Sequence, residues 1–251
     1  MDKKVVIITG GSRGLGKSHC EVFLAHGYRV VSVDIAPAEW MDGNEDCMST
    51  VCDVRDREGL KKIRDEVLEK WGHIDCLVNN AGVQGAWKQP IDILPDDNWD
   101  FNISVNMTGT FNCTKIFGSA MMERGGAIIN IASMAGLAPM PGGSVAYSSS
   151  KHGVIMITEC TAVEWGQYGI RSNCVCPGPV ETEINRRRYD MPGVREGRAN
   201  LIPLKRNPDP KEISNVVYFL ASDEASFVNG VTIPADGGLC KTTWVPFANL
   251  S

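Results

Sequence analysis

The chain lacks any long apolar run. Its first apolar stretch, Val5-Val6-Ile7-Ile8, follows Met1-Asp2-Lys3-Lys4 and is too short for a signal peptide, and no window approaches the ~20 apolar residues of a membrane span. A cytoplasmic protein with no membrane partner is expected. Cysteine pairing is missing as well: the 9 cysteines are scattered, several inside apolar runs such as Cys174-Val175-Cys176, with no Cys-x-x-Cys spacing. They read as reduced core residues. Histidine is scarce, and His19, His26, His73 and His152 show no ligand spacing with one another or with cysteine, so no structural metal is expected. A basic surplus is absent too, with 25 Lys+Arg against 30 Asp+Glu and a net charge of -5. This disfavours nucleic acid as a partner, because phosphate binding needs a basic face. Finally, no linker, low-complexity tract or internal repeat divides the 251 residues, so a single domain is predicted.

What the chain does contain is an alternation of short apolar strands and helical stretches. Val5 to Thr9 suits a strand buried on both faces and runs into a glycine-rich turn. A helix is predicted from about Leu15 to His26, a strand from Arg29 to Asp34 and an amphipathic helix from Arg55 to Trp71. Further strands are predicted at Ile74 to Val78, Ala127 to Ala132 and Ser172 to Cys176, with a long helix from Tyr147 towards Tyr168. Such alternation implies right-handed crossovers and a parallel sheet covered on both faces, an α/β doubly wound fold of Rossmann-like type. Ligands of such sheets sit at the carboxyl ends of the strands.

Two sets of residues fall at those ends. Thr9-Gly10-Gly11-Ser12-Arg13-Gly14-Leu15-Gly16 joins the first strand to the first helix, where glycines let backbone approach a pyrophosphate and the helix N-terminus favours an anion. The spacing is not Gly-x-Gly-x-x-Gly, and His19 stands where that fingerprint wants a third glycine. A plain tight turn would explain one of these glycines but not three. Asp34, ending the second strand, can accept hydrogen bonds from both adenosine ribose hydroxyls and would repel a 2′-phosphate, which favours NAD over NADP. Arg13 argues the other way, since it could pair a phosphate.

The second set is Tyr147 and Lys151, four apart on a helix and so on one face, with Ser133 upstream at a strand end. A free phenol titrates near pH 10, and a neighbouring cation favours the phenolate; a shift of ~2 to 3 units needs ~3 to 4 kcal/mol. A buried ring beside a solvated lysine is the plain alternative.

With these stand Asn79-Asn80-Ala81-Gly82, Asn106 in Ser-Val-Asn-Met-Thr-Gly, and Pro177-Gly178-Pro179-Val180-Glu181-Thr182. In order and spacing, from about Val5 to Gly238, the sequence resembles the short-chain dehydrogenase/reductase family. The resemblance implies an enzyme that interconverts a secondary alcohol and a ketone by hydride transfer with NAD, or less well NADP. It implies that Tyr147 exchanges the proton, Lys151 lowers its pKa and holds the nicotinamide ribose, Ser133 orients the substrate oxygen, and Asn106 holds a water that links Lys151 to solvent. It places Gly10, Ser12, Arg13, Gly14, Leu15, Gly16 and Asp34 on the cofactor. Asp53 and Val54 would bracket the adenine, Asn80, Ala81 and Gly82 would line the cofactor channel, and Pro177, Gly178, Val180 and Thr182 would close on the nicotinamide and phosphates. It also implies a homotetramer, for which Val154 to Ala162 and the tail Trp244 to Leu250 are suited.

The resemblance further implies that residues 178–210 cover the substrate. Arg186, Arg187, Arg188, Arg195 and Arg198 in that segment suit a carboxylate or phosphate, or form a solvated basic helix face, whereas Trp87, Met134, Leu137 and Met140 would suit an apolar ketone. Met121, Met122, Trp99, Phe101 and Trp165 are expected in the core. Two alternatives to an NAD-dependent enzyme stay open: an NADP-dependent carbonyl or 3-oxoacyl reductase, and a non-catalytic nucleotide-binding sensor or scaffold.

Overall fold

The structure, a computed structural model, describes residues 2–85, 90–139, 144–182 and 185–242; Trp87, Met140 and the tail residues 244–250 lie outside them. In chain order the elements are β1 (Val5–Thr9), α1 (Gly14–Ala25), β2 (Arg29–Asp34), β3 (Cys47–Val51), α2 (Arg57–Trp71) and β4 (Cys76–Asn79). Then come α3 (Asp96–Asn102), a π-turn (Ile103–Thr108), α4 (Gly109–Phe117), β5 (Gly126–Ile131), α5 (Met134–Leu137) and α6 (Val145–Trp165). β6 (Ile170–Pro177), α7 (Arg186–Tyr189), α8 (Val194–Leu201), α9 (Pro210–Ala221) and β7 (Thr232–Ala235) follow. The strands form one seven-stranded sheet in the order β3-β2-β1-β4-β5-β6-β7, and each pair is parallel.

Alternation along β1 divides the core into two layers. Val5 and Ile7 point to the side packed by Leu60, Ile63 and Val67 of α2 and by Ile116 and Phe117 of α4. Val6 and Ile8 point to the other side, against Cys20 and Phe23 of α1 and Ile213, Val217 and Leu220 of α9. All five residues of β1 are buried, which is why the strand reads as a continuous apolar run. Strand order reverses between β1 and β4, and the crevice at that switch point carries both the glycine loop and Asn80.

Several boundaries differ from the sequence reading for identifiable reasons. Helix α2 begins at Arg57, not Arg55, because Asp56 caps it by accepting a hydrogen bond from the Gly59 N–H. Edge strands β3 and β7 were not predicted: β3 is the half-exposed Cys-Met-Ser-Thr-Val, and β7 contains Pro234, tolerated at an edge where one side needs no donor. Trp99 and Phe101, expected inside, are 40% and 42% exposed on α3. Trp165 does end α6 and packs on the first core layer. Seven of the nine cysteines are buried and all are free, but Cys160 is exposed and Cys240 half-buried. Among the described residues no helix is long and apolar enough to cross a membrane, and no cluster of His, Cys, Asp or Glu is placed to hold a metal ion.

Candidate active site

The glycine loop is built around close approach of backbone to backbone. Gly10 and Gly14 have φ of 69° and 58°, in the left-handed region that suits glycine. A Cβ on Gly16 would lie 1.9 Å from the Gly10 carbonyl oxygen, so no larger residue fits there without moving the loop. The N-terminus of α1 has Arg13 at its cap position with no side chain capping it. That leaves its first amides available to an anion. Arg13 is exposed, while Leu15 turns its side chain into the second core layer. The residues present therefore fit a pyrophosphate.

The Asn80 side chain is bonded to the glycine loop. Its Nδ2 donates to the Thr9 and Gly10 carbonyls at 3.0 and 3.1 Å, and the N–H groups of Asn80 and Ala81 both donate to Thr9 Oγ1 at 3.0 Å. Asn80 and Thr9 thus tie the end of β4 to the glycine loop. Thr9 was missed as a site residue, and its place as the last residue of β1 was the available signal.

Asp34 closes the same end of the crevice. Its Oδ2 accepts from the Ser12 N–H at 3.0 Å and from Ser12 Oγ at 2.7 Å, and Oδ1 accepts a longer bond from the Ala36 N–H at 3.3 Å. Oδ1 keeps acceptor capacity. The carboxylate is fixed by the loop it serves, and Trp40 Nε1 braces that loop by donating to the Ser12 carbonyl at 3.1 Å. Asp53 is held by Arg55 at 2.6 Å, and the Arg55 side chain keeps its carboxyl below the ordinary range. Val54 is buried: its side chain lies where a Cβ on Gly109 would fall, 2.4 Å from Cγ2, and its carbonyl accepts from Asn112 Nδ2 at 3.1 Å. The Val54 side chain packs against Gly109 at the start of α4.

Ser133, Tyr147, Lys151 and Asn106 do come together. Ser133 caps α5, its Oγ accepting from the Ala135 N–H at 3.2 Å, and its side chain acts on the Tyr147 phenol. Tyr147 is half-buried. Loss of hydration pushes its phenol above the ordinary value, and the Ser133 hydrogen bond draws it part of the way back. Lys151 is buried, its Nζ donates to the Ile131 carbonyl at 2.8 Å, and burial pulls its ammonium down to about 8. Its Nζ stands 5.9 Å from the centroid of the Tyr147 ring. Burial is the largest influence on the Tyr147 phenol, and Lys151 is turned to the end of β5. A Cβ on Gly82 would meet Lys151 Nζ at 3.1 Å and Asn106 Oδ1 at 3.2 Å, so Gly82 is the gap across which the lysine and the asparagine face each other.

The segment after β6 is braced by Asn185. Its Nδ2 donates to the Val180 carbonyl at 2.8 Å and its Oδ1 accepts from the Thr182 N–H at 2.9 Å. Pro177 ends β6, and the Gly178 N–H is tied to the Ala235 carbonyl at 3.1 Å. The arginines of this segment are not equivalent. Arg195 pairs with Glu181 at 2.8 Å and Asp190 at 3.0 Å, and Arg198 stacks on the buried Tyr189 ring at 4.4 Å. Arg186, Arg187 and Arg188 are exposed on α7.

Comparison with known proteins gives these features a common origin. A family model described as enoyl-(acyl carrier protein) reductase matches residues 10–240. The 3-oxoacyl-(acyl-carrier-protein) reductase FabG of Thermotoga maritima is 36% identical, over 95% of this chain and 98% of the relative. The D-threitol dehydrogenase of Mycolicibacterium smegmatis is 35% identical, over 95% of this chain and 93% of the relative. A solved structure described as ElxO with NADP bound superposes with a TM-score of 0.89 at 30% identity, covering 96% of this chain and all of that one. The chain belongs to the short-chain dehydrogenase/reductase family. Its members bind NAD or NADP, and this protein is an oxidoreductase of the alcohol and carbonyl class.

Proposed function

We propose that the protein is an NAD-dependent enzyme that interconverts a secondary alcohol and a ketone, with Tyr147 as the general acid and base. The observation that carries this reading is the convergence of Ser133 and the buried ammonium of Lys151 on Tyr147, with Lys151 Nζ 5.9 Å from the centroid of the tyrosine ring. A bound nicotinamide dinucleotide supplies or accepts the hydride. Its pyrophosphate would be held by the amides of Gly14 to Gly16, its adenosine ribose by Asp34, and its nicotinamide half by Lys151 and the segment from Pro177 to Thr182. Tyr147 is protonated in the neutral range and so is set to donate a proton to a carbonyl oxygen, while Ser133 orients that oxygen. Residues 178–210 would cover the substrate.

Preference for NAD rests on Asp34, whose charge faces the ribose position with Ser12 already bonded to it. A 2′-phosphate beside it would meet repulsion of roughly 4 kcal/mol per charge pair at contact. The runner-up is an NADP-dependent 3-oxoacyl or carbonyl reductase, favoured by exposed Arg13 and by the names of the relatives. Absorbance at the reduced-nicotinamide band decides between them, using NAD and NADP against hydroxy acids, sugar acids, polyols and steroids. NAD is expected to support the faster reaction. A clear NADP preference overturns the Asp34 argument, and dinucleotide binding without turnover of any substrate would favour a sensor.

The glycine cradle gives a second test. Gly16→Ala places a methyl against the Gly10 carbonyl, and a displacement on the order of 1 Å there should weaken dinucleotide binding by about 100-fold. Titration calorimetry measures this, and wild-type affinity in the variant would sink the cradle. A cytoplasmic homotetramer also belongs to this proposal, supported by the family resemblance and by Met156 and Val163, which are exposed on the outer face of α6.

A further inference from the structure

We propose that Ser150 is a positioning residue that sets Asn106 against the Tyr147 and Lys151 pair, an inference that rests on reading those two residues as the reaction machinery. Ser150 is the last serine of Tyr-Ser-Ser-Ser-Lys and is fully buried. Its Oγ donates to the Tyr147 carbonyl at 2.8 Å and accepts from Asn106 Nδ2 at 2.9 Å. The other Nδ2 hydrogen of Asn106 goes to the Val83 carbonyl at 2.8 Å, and Oδ1 accepts from the Val83 N–H at 2.7 Å. Every hydrogen of this amide and hydroxyl is therefore assigned.

Three segments meet at these two side chains. Val83 continues the loop after β4, Asn106 lies on the π-turn, and Ser150 lies in the turn of α6 between Tyr147 and Lys151. A π-turn inserts an extra residue into a helix, and Asn106 is the residue it turns towards α6. Ser150 is the only link from that amide to the catalytic helix among the described hydrogen bonds. Without the hydroxyl, a buried amide hydrogen loses its acceptor, and the amide must turn or admit water. Asn106 Oδ1 and Lys151 Nζ face each other across Gly82, so such a movement is felt at the lysine. The titratable groups facing Lys151 are Tyr147 on its own helix and Cys174 and Cys176 on β6. None of them changes in a Ser150 variant.

Ser150→Ala keeps the helix and removes only the hydroxyl. Expected are a fall in kcat of about 10-fold with the dinucleotide KM within about 2-fold, because displacement at the reacting centre acts on the chemical step. The alkaline limb of the pH profile should move as water reaches Lys151, and Ser150→Thr, which restores a hydroxyl, should recover most of the loss. Titration of Lys151 in the free protein, followed by carbon-13 NMR of labelled lysine, reads the same movement without turnover. It should rise from about 8 towards its ordinary value. Wild-type kcat and an unmoved lysine titration in Ser150→Ala would overturn the proposal. A wild-type protein inactive on every substrate would count against the enzymatic reading alone, since the lysine titration still judges Ser150.

Discussion

Tyr147→Phe is expected to lower kcat/KM by about 10²- to 10⁴-fold, the range that a positioned proton donor supplies, with dinucleotide affinity within about 2-fold of wild type. The substitution keeps the ring on its helix and removes only the hydroxyl, on which Ser133 acts. Stability should therefore change by no more than about 1 kcal/mol, the net worth of one hydrogen bond. A loss of rate without loss of fold separates a proton donor from a packing residue. Steady-state kinetics in both directions, with calorimetric titration of the dinucleotide, measure the two quantities. Activity that survived the substitution would remove Tyr147 from the mechanism. Burial holds this phenol above its ordinary value, so the rate should depend on it as an acid in the carbonyl-reducing direction near neutral pH.

Acidification from pH 6.5 to 4 is expected to cost about 3 kcal/mol of stability through His19 alone. This histidine is completely buried between α1 and α9, with Nδ1 2.8 Å from Ser214 Oγ, Ser214 Oγ 2.8 Å from Ser18 Oγ, and Nε2 without a protein partner. Burial lowers its pKa from 6.5 to about 3. The unfolded chain binds this proton below pH 6.5 and the folded protein does not until about pH 3, so stability is lost as pH falls through that interval. Asp53, Glu181, Glu212, Asp223 and Asp236 are all held below their ordinary values and add their own losses at lower pH, which leaves the upper part of the interval to His19. Urea denaturation at pH 7.0, 5.5 and 4.5 should show the slope in the wild type and a shallower one in His19→Asn. Equal slopes in the two proteins would refute the assignment.

His19 also shows why part of the site could not be read in advance. Its position suggested a missing glycine, but Gly16 already provides the close approach, and the histidine belongs to the contact between two helices, its partner Ser214 lying 195 residues away in sequence. Asn80 and Asp53 illustrate the same limit. The motif of Asn80 placed it at a strand end and the resemblance placed Asp53 by the adenine, yet a short polar side chain beside a crevice can serve a ligand or the neighbouring loop, and only the distances show that Asn80 holds the glycine loop. Arg195 and Arg198 looked equivalent to the arginines of α7 until Glu181, Asp190 and Tyr189 were placed beside them.

The order of strands and helices was legible because buried parallel strands are continuous apolar runs, and β1, β2 and β5 match their predicted spans within a residue. The edge strands β3 and β7 were not, since half-exposed strands carry polar residues and proline. By itself the sequence determined the family, the sheet and the proximity of Tyr147 and Lys151, because helical periodicity and ordered motifs are local properties. Tertiary structure decided what each side chain faces: the orientation of Lys151 towards Ile131, the upward shift of Tyr147, and the Asn106–Ser150 link. Burial and hydrogen-bond partners come from segments distant in the chain, and no local pattern encodes them.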